Sequence, residues 1–182
     1  MNRWMLLGLS SGVLLLATRG GSSFLEQARA LSITDSAAAP PSEQLVATSR
    51  PELGLTSQER VVFEQINAYR QTRGLEPLEL DPVITRQARL HSDAMAAQGQ
   101  LSHDGFQSRV QEIGWTVTYS NASENVAFSQ GFREPGAQAV QGWINSPGHR
   151  QNLEGRYDVT GIGASHTTDG RVYFTQIFIR RR

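Results

Sequence analysis

Few side chains in this 182-residue chain can perform chemistry near neutral pH. Four histidines are present, and neither lysine nor cysteine occurs anywhere in the sequence. This composition excludes a Schiff-base amine, a thiol nucleophile, a thiolate metal site and any disulfide. Imidazole is therefore the natural candidate for proton transfer or for metal ligation. The histidines are His91, His103, His149 and His166.

His103 lies in the loop of residues 101–105 (LSHDG), directly after a predicted helix. A histidine in a glycine-bounded loop is placed to face a cleft, and the alternative is a loop histidine that bonds to backbone. Glu124 precedes a short apolar run, which indicates a partly buried carboxylate. A buried carboxylate needs a partner, and an imidazole would serve. The alternative for Glu124 is an exposed acid in a turn.

His149 belongs to the segment of residues 146–152 (SPGHRQN), where proline and glycine end a predicted helix and a compact turn follows. It either supplies a second imidazole to a cleft or takes part in a structural knot in which polar side chains bond to local carbonyls. His91 shares a helix face with apolar residues, which favours a core histidine. His166 stands near a predicted hairpin turn and is expected to be solvated.

Several enzyme templates are absent from the sequence. There is no Gly-x-Ser-x-Gly elbow, no His-Glu-x-x-His helix and no Gly-Lys phosphate loop. Residues 102–104 (SHD) have the types of a catalytic triad, but neighbours in sequence do not establish a triad in space. Basic and acidic residues balance at 17 each, without a basic stripe, so we expect no nucleic-acid partner.

The first part of the chain divides into targeting and linking segments. Residues 1–30 are predicted to be a signal peptide, because Arg3 precedes an apolar run over residues 4–17 that is shorter than a spanning helix. The position of cleavage stays open. The alternative is that this segment is not cleaved and anchors the protein in a membrane. It is the only segment that we expect to contact a membrane. Residues 31–53 (rich in Ala, Pro and Ser) are predicted to be a disordered linker. The protein is therefore expected to be exported, to an extracellular or periplasmic and cell-envelope location.

Residues 54–182 are predicted to form one domain. Its first helix begins with a capping box at Thr56 and ends at Gly74, and its second begins at Asp81 and Pro82. The last strand carries apolar residues on both faces, which indicates a sheet covered on both sides by helices. Gly161 and Gly163 in its partner strand would permit close approach by a helix or a ligand. The other predicted elements are helices over 107–113 and 136–145 and strands over 116–119, 157–166 and 171–179.

An ordered set of short motifs resembles the CAP superfamily (cysteine-rich secretory protein, antigen 5 and pathogenesis-related proteins). The motifs run from Thr56 to Phe178, and the Ser-Pro-Gly-His-Arg version resembles the bacterial, cysteine-free branch. The resemblance implies an α+β fold, a three-layer α-β-α sandwich with a central antiparallel sheet and a cleft. The matching segments are 66–70 (INAYR), 88–95 (ARLHSDAM), 101–103 (LSH), 124–127 (ENVA), 143–152 (WINSPGHRQN), 161–163 (GIG) and 173–176 (YFTQ).

The resemblance also implies a cleft that often holds two histidines and two glutamates, which in some members bind a divalent metal. His103 and Glu124 match one such pair. Tyr173 stands at the place of the second histidine, and Ser146 at that of the second glutamate. With His149 as a spatial substitute, the candidate metal ligands are His103, Glu124 and His149, and zinc is the metal to test. Zinc usually takes at least three protein ligands.

Three functions compete at this point. The first, which we favour, is a secreted, non-catalytic binding module whose cleft takes a small ligand, a lipid or an envelope or extracellular protein. The second is a metal-dependent, protease-like hydrolase in which His103 holds zinc and Glu124 is the general base. The third is an envelope-tethered structural or interaction protein. Whether the protein is an enzyme stays open, with the absence of a complete catalytic set favouring the first.

Overall fold

The computed structural model describes residues 54–182, so the predicted signal peptide (1–30) and the predicted linker (31–53) lie outside the described residues. The described part contains the predicted helices and strands in the expected order, together with two short elements that were not predicted, at Glu79–Leu80 and at Pro147–Leu153. The elements are α1 (Ser57–Thr72), β1 (Glu79–Leu80), α2 (Pro82–Gln98), α3 (Phe106–Gly114), β2 (Tyr119–Gln130), α4 (Pro135–Asn145), α5 (Pro147–Leu153), β3 (Val159–His166) and β4 (Arg171–Arg181).

The four strands form one sheet in the order β1-β3-β4-β2. The pairs β3–β4 and β2–β4 are antiparallel, whereas β1 runs parallel to β3. The sheet is therefore mixed, which corrects the prediction of an antiparallel sheet. The parallel pair is only two residues long, because Asp81 and Pro82 begin α2 immediately after it.

Helices cover both faces of the sheet, as the two-sided pattern of β4 predicts. Phe174 and Phe178 pack with α1 and α4 in one apolar core, whereas Ile177 and Ile179 pack with α2 and α3 in another. Because successive side chains of a strand point to opposite faces, one strand serves both cores. The three-layer α-β-α arrangement follows from this division.

Helix α2 lies directly against β3. A Cβ atom added at Gly161 would come within 2.2 Å of the backbone of Ile84, and one at Gly163 within 2.4 Å of the backbone of Ala88. Real side chains do not tolerate such distances, so both positions require glycine. The sequence predicts that either a helix or a ligand approaches these glycines closely, and the structure shows that it is the helix α2.

Two local predictions need correction. The strand expected over residues 116–119 instead runs over Tyr119–Gln130, and the turn expected after Ser146 is the short helix α5. Proline at the first position of a helix is favourable, so Pro147 both ends α4 and begins α5. Among the described residues, no helix combines the length and hydropathy needed to cross a bilayer.

Candidate functional site

The candidate site is centred on Glu124, whose side chain lies on strand β2 and is almost wholly buried. Arg109 on α3 donates to both carboxylate oxygens. Its Nη2 lies 2.9 Å from Oε1 and 2.8 Å from Oε2, and its Nε lies 3.0 Å from Oε2. This bidentate geometry is that of a strong, charge-assisted pair, which compensates the burial of the carboxylate.

His103 is the second partner of Glu124, with 2.9 Å between its Nδ1 and Oε1 of the carboxylate. An ionised carboxylate only accepts hydrogen bonds, so Nδ1 of His103 carries the proton. Nε2 is then the ring nitrogen not bonded to Glu124, and half of the side chain is exposed. The loop that bears His103 is tied to the same cation, because Nη1 of Arg109 donates to the carbonyl of Asp104 at 2.6 Å.

His91 lies beside this pair and is buried, as predicted for a core histidine. Its Nε2 donates to the carbonyl of Ser102 at 2.7 Å and lies 3.9 Å from Oε1 of Glu124. Burial lowers the pKa of His91, and the nearby charge of Glu124 only partly offsets that effect. His91 is thus a neutral side chain, and its hydrogen bond holds the backbone of Ser102, the residue before His103.

His149 lies in α5, where its Nδ1 is 2.8 Å from Oγ of Ser146. Its backbone carbonyl accepts from Asn125, and Asn152 donates to the side chain of Asn125 and to the carbonyl of Glu124. These bonds form a polar knot that joins α5 to β2 beside the buried carboxylate. Burial lowers the pKa of His149, with the charge of His103 as the smaller cause.

Tyr173 is placed away from the carboxylate. It pairs with Phe128 across the strands, whereas Glu124 pairs with Ile177. Four residues of a strand span about 13 Å, so the two positions are well separated along the sheet. The Tyr173 ring is buried in a small apolar cluster, and its hydroxyl accepts from Arg171 at 3.1 Å.

Comparison with known proteins agrees with this fold. The profile of the Cysteine-rich secretory protein family, CAP, matches residues 63–178. The chain belongs to the CAP family. It is 31% identical over 157 residues to the uncharacterized protein YkwD of Bacillus subtilis (strain 168), a match that covers 85% of this chain and 59% of YkwD. The chain therefore spans only part of the length of this relative.

Solved CAP structures share the architecture. An extracellular protein containing a SCP domain from Bacillus anthracis str. Ames is 31% identical with a TM-score of 0.57, covering 68% of this chain and 40% of that one. An outer surface protein from Borrelia burgdorferi has a TM-score of 0.60 at 23% identity, covering 69% and 93% respectively. The homologues of this CAP domain thus include bacterial extracellular proteins, and the predicted fold is confirmed.

The donor set of this CAP domain does not fit a zinc centre as it is arranged. Both oxygens of Glu124 accept from Arg109, and Nδ1 of His103 is hydrogen-bonded to that same carboxylate. Residues 54–182 contain no group of three or more His, Cys, Asp or Glu side chains placed to hold a metal. Zinc binding by His103, Glu124 and His149 stays an untested prediction that this geometry does not favour.

Arg109 is the member of the site that sequence reasoning missed. Arg109 lies on the predicted third helix, between His103 and Glu124 in the chain. The signal that could have found it is the buried carboxylate of Glu124, because a buried charge requires a partner of opposite charge. Asn125 and Asn152 were part of the matched motifs, and the structure shows that they join α5 to β2. His91 was assigned to the core, and only its distance to Glu124 connects it to the site.

Proposed function

We propose that this CAP domain is a non-catalytic binding module that acts outside the cytoplasm. One observation carries the proposal: Arg109 donates to both oxygens of Glu124, so the carboxylate is a buried structural anion. A general base needs a free lone pair within reach of the proton that it removes. Glu124 instead orients His103, and the exposed imidazole is the group that a ligand meets.

The protonation of His103 defines what the ligand must offer. Since Nδ1 donates to Glu124, Nε2 is the ring nitrogen left for a ligand, and in this tautomer of the imidazole it is an acceptor. A hydroxyl or amide N–H of a small ligand or a protein partner is therefore the complementary group. His149 and Ser146, which lie beside each other at the start of α5, provide further polar contacts.

The extracellular location is part of the same proposal. The apolar run over residues 4–17 follows Arg3, as in a secretory signal, and homologues of this CAP domain are extracellular or outer-surface proteins. Absence of cysteine is compatible with an oxidising exterior, because a domain of this size can bury enough apolar surface without disulfides.

The test combines binding and turnover on the same variants. The full chain is screened by NMR against fatty acids, phospholipids, short peptides and oligosaccharides, and is assayed with casein and p-nitrophenyl acetate. We expect saturable binding of at least one compound that His103→Ala abolishes and that His166→Ala, at an exposed position, leaves intact. No turnover is expected in either assay.

A zinc titration separates this proposal from the hydrolase hypothesis. We expect no one-to-one zinc binding at micromolar concentration by calorimetry, in the wild type or in His103→Ala. Chelator-sensitive turnover that is lost in both His103→Ala and Glu124→Gln would overturn the binding-module proposal. A Glu124→Gln variant that retains ligand binding would show that Glu124 is dispensable for orienting His103.

A further inference from the structure

The two tryptophans of the described domain have opposite environments. Trp143 on α4 is 1% exposed, and its indole N–H donates to the carbonyl of Val126. Trp115, which directly follows α3, is 72% exposed. Its indole N–H makes no hydrogen bond to any residue of the 54–182 segment. A single exposed aromatic residue is common at protein surfaces, so the side chains around Trp115 decide whether it can hold a ligand.

Trp115 forms one wall of a groove of about 510 Å³ between the first turns of α2 and the end of α3. Ligand pockets typically measure about 300–1,000 Å³. The remaining wall combines apolar side chains with planar polar ones. The lining residues are Pro82, Val83, Arg86, Gln87, Glu112 and Thr116.

The polar side chains of this groove are available to a ligand. Arg86, Gln87 and Glu112 form no side-chain hydrogen bond or ion pair with another described residue. Together they offer several N–H donors and carbonyl or carboxylate acceptors within one groove. The charges of Arg86 and Glu112 offset each other, so the groove selects for neither an anion nor a cation.

We infer that this groove is a binding site for an uncharged oligosaccharide. A pyranose ring has an apolar face of C–H groups, which suits the exposed indole, and a rim of hydroxyls that both donate and accept hydrogen bonds. An apolar chain would leave the three polar side chains of the groove without partners in a desolvated contact, which costs free energy. A balanced set of donors and acceptors beside one aromatic face matches a sugar.

This saccharide groove is separate from the His103 cleft. Arg109, in the first turn of α3, holds Glu124, whereas Trp115 follows the last turn of the same helix. Six residues of helix separate Arg109 from Trp115, a rise of about 9 Å, so Trp115 lies toward the other end of α3 from Arg109. Loss of one site is therefore expected to leave the other intact.

Calorimetric titration of the full chain with cellotetraose and with the N-acetylglucosamine tetramer tests the groove. We expect saturable binding of at least one tetramer, which Trp115→Ala weakens about tenfold or more and Trp115→Phe weakens less. Phe132→Ala, at another exposed aromatic residue, serves as the matched control and should bind as the wild type does. Bound sugar should also protect Trp115 from acrylamide quenching, measured as the difference between wild type and Trp115→Phe.

Two results would overturn the inference. They are the absence of binding for both tetramers at millimolar concentration, and binding that Trp115→Ala leaves unchanged. Sugar binding that is lost in His103→Ala but kept in Trp115→Ala would place the sugar in the cleft instead. That result would reject the saccharide groove while supporting the proposed binding function of the cleft.

Discussion

The guanidinium group of Arg109 lies across the carboxylate of Glu124 and donates three hydrogen bonds of 2.8 to 3.0 Å to it. Only 10% of the Arg109 side chain and 2% of the Glu124 side chain are exposed. A buried ion pair tolerates removal of both charges far better than removal of one, because a lone buried charge has no compensation. This pair therefore anchors α3 to β2 and sets the orientation of His103.

Replacing Arg109 by methionine is expected to destabilise the domain by about 3–5 kcal/mol, because the buried carboxylate of Glu124 loses its cation. The double variant Arg109→Met/Glu124→Met should recover much of that loss, since neither charge remains. Urea denaturation followed by circular dichroism measures both. A single variant within about 1 kcal/mol of the wild type would show that the pair does not hold the fold.

Stability is expected to fall as the pH is lowered below 6.5, the ordinary pKa of histidine. Burial lowers the pKa of His91 and of His149, so the unfolded chain binds protons that the native state does not. Unfolding is then favoured at low pH, by at most about 1.4 kcal/mol per pH unit for each histidine. The contribution of these two histidines to the free energy of unfolding is fully present above pH 6.5 and is lost as the pH falls below that value.

Urea denaturation between about pH 7.5 and about pH 5, the range in which histidine titrates, measures this slope. The double variant His91→Gln/His149→Gln should flatten it, because glutamine keeps an N–H donor but does not titrate. An unchanged slope in the double variant would contradict the assignment. Carboxylates whose pKa is lowered, such as Asp158, act at a lower pH, because the ordinary value of that group is 3.8.

Arg70 is expected to be more important for stability than its neighbour Arg73. It is 2% exposed and donates four hydrogen bonds of 2.7 to 3.1 Å to backbone carbonyls, and none of its partners within residues 54–182 is a carboxylate. Arg70→Met would leave several carbonyls unpaired, at about 1–3 kcal/mol each, so we expect a loss above about 3 kcal/mol. The accepting carbonyls belong to Glu76, Leu153, Gly155 and Tyr157.

Arg73→Met is the matched control for Arg70→Met. The Arg73 side chain is 52% exposed and forms a surface ion pair with Glu154. Exposed pairs contribute little to stability, so this variant should remain close to the wild type in thermal and urea denaturation. Equal effects of the two substitutions would argue against the structural role of Arg70.

Two glycine-to-alanine substitutions are expected to act in opposite directions. In Gly163→Ala the new Cβ would lie 2.4 Å from the backbone of Ala88, so α2 must move away from the sheet, at about 1–3 kcal/mol or more. In Gly142→Ala the Cβ would meet no atom within 4 Å, and the helix α4 gains about 0.5–1 kcal/mol. Melting temperatures of the two variants that shift in the same direction would contradict this packing.

Local and periodic patterns in the sequence suffice to predict much of this fold. The capping box at Thr56 and the Asp81-Pro82 start define where α1 and α2 begin, because each signal involves only backbone groups a few residues away. The two-sided apolar pattern of β4 predicts the three layers. The same local reasoning fails at β2, whose polar residues give no strand period, and at Pro147, which has the sequence features of a helix end and a helix start.

The chemistry of the site depends on contacts that no local pattern encodes. Residue types alone single out His103 and Glu124 as candidates, but the partner that neutralises Glu124 is 15 residues away in the chain, on another element. Packing of α3 against β2 brings Arg109 onto the carboxylate. That contact decides which carboxylate lone pairs remain free for His103, whose Nδ1 lies 2.9 Å from Oε1. A buried charge takes its role from its nearest neighbours in space, and only the tertiary structure specifies those neighbours.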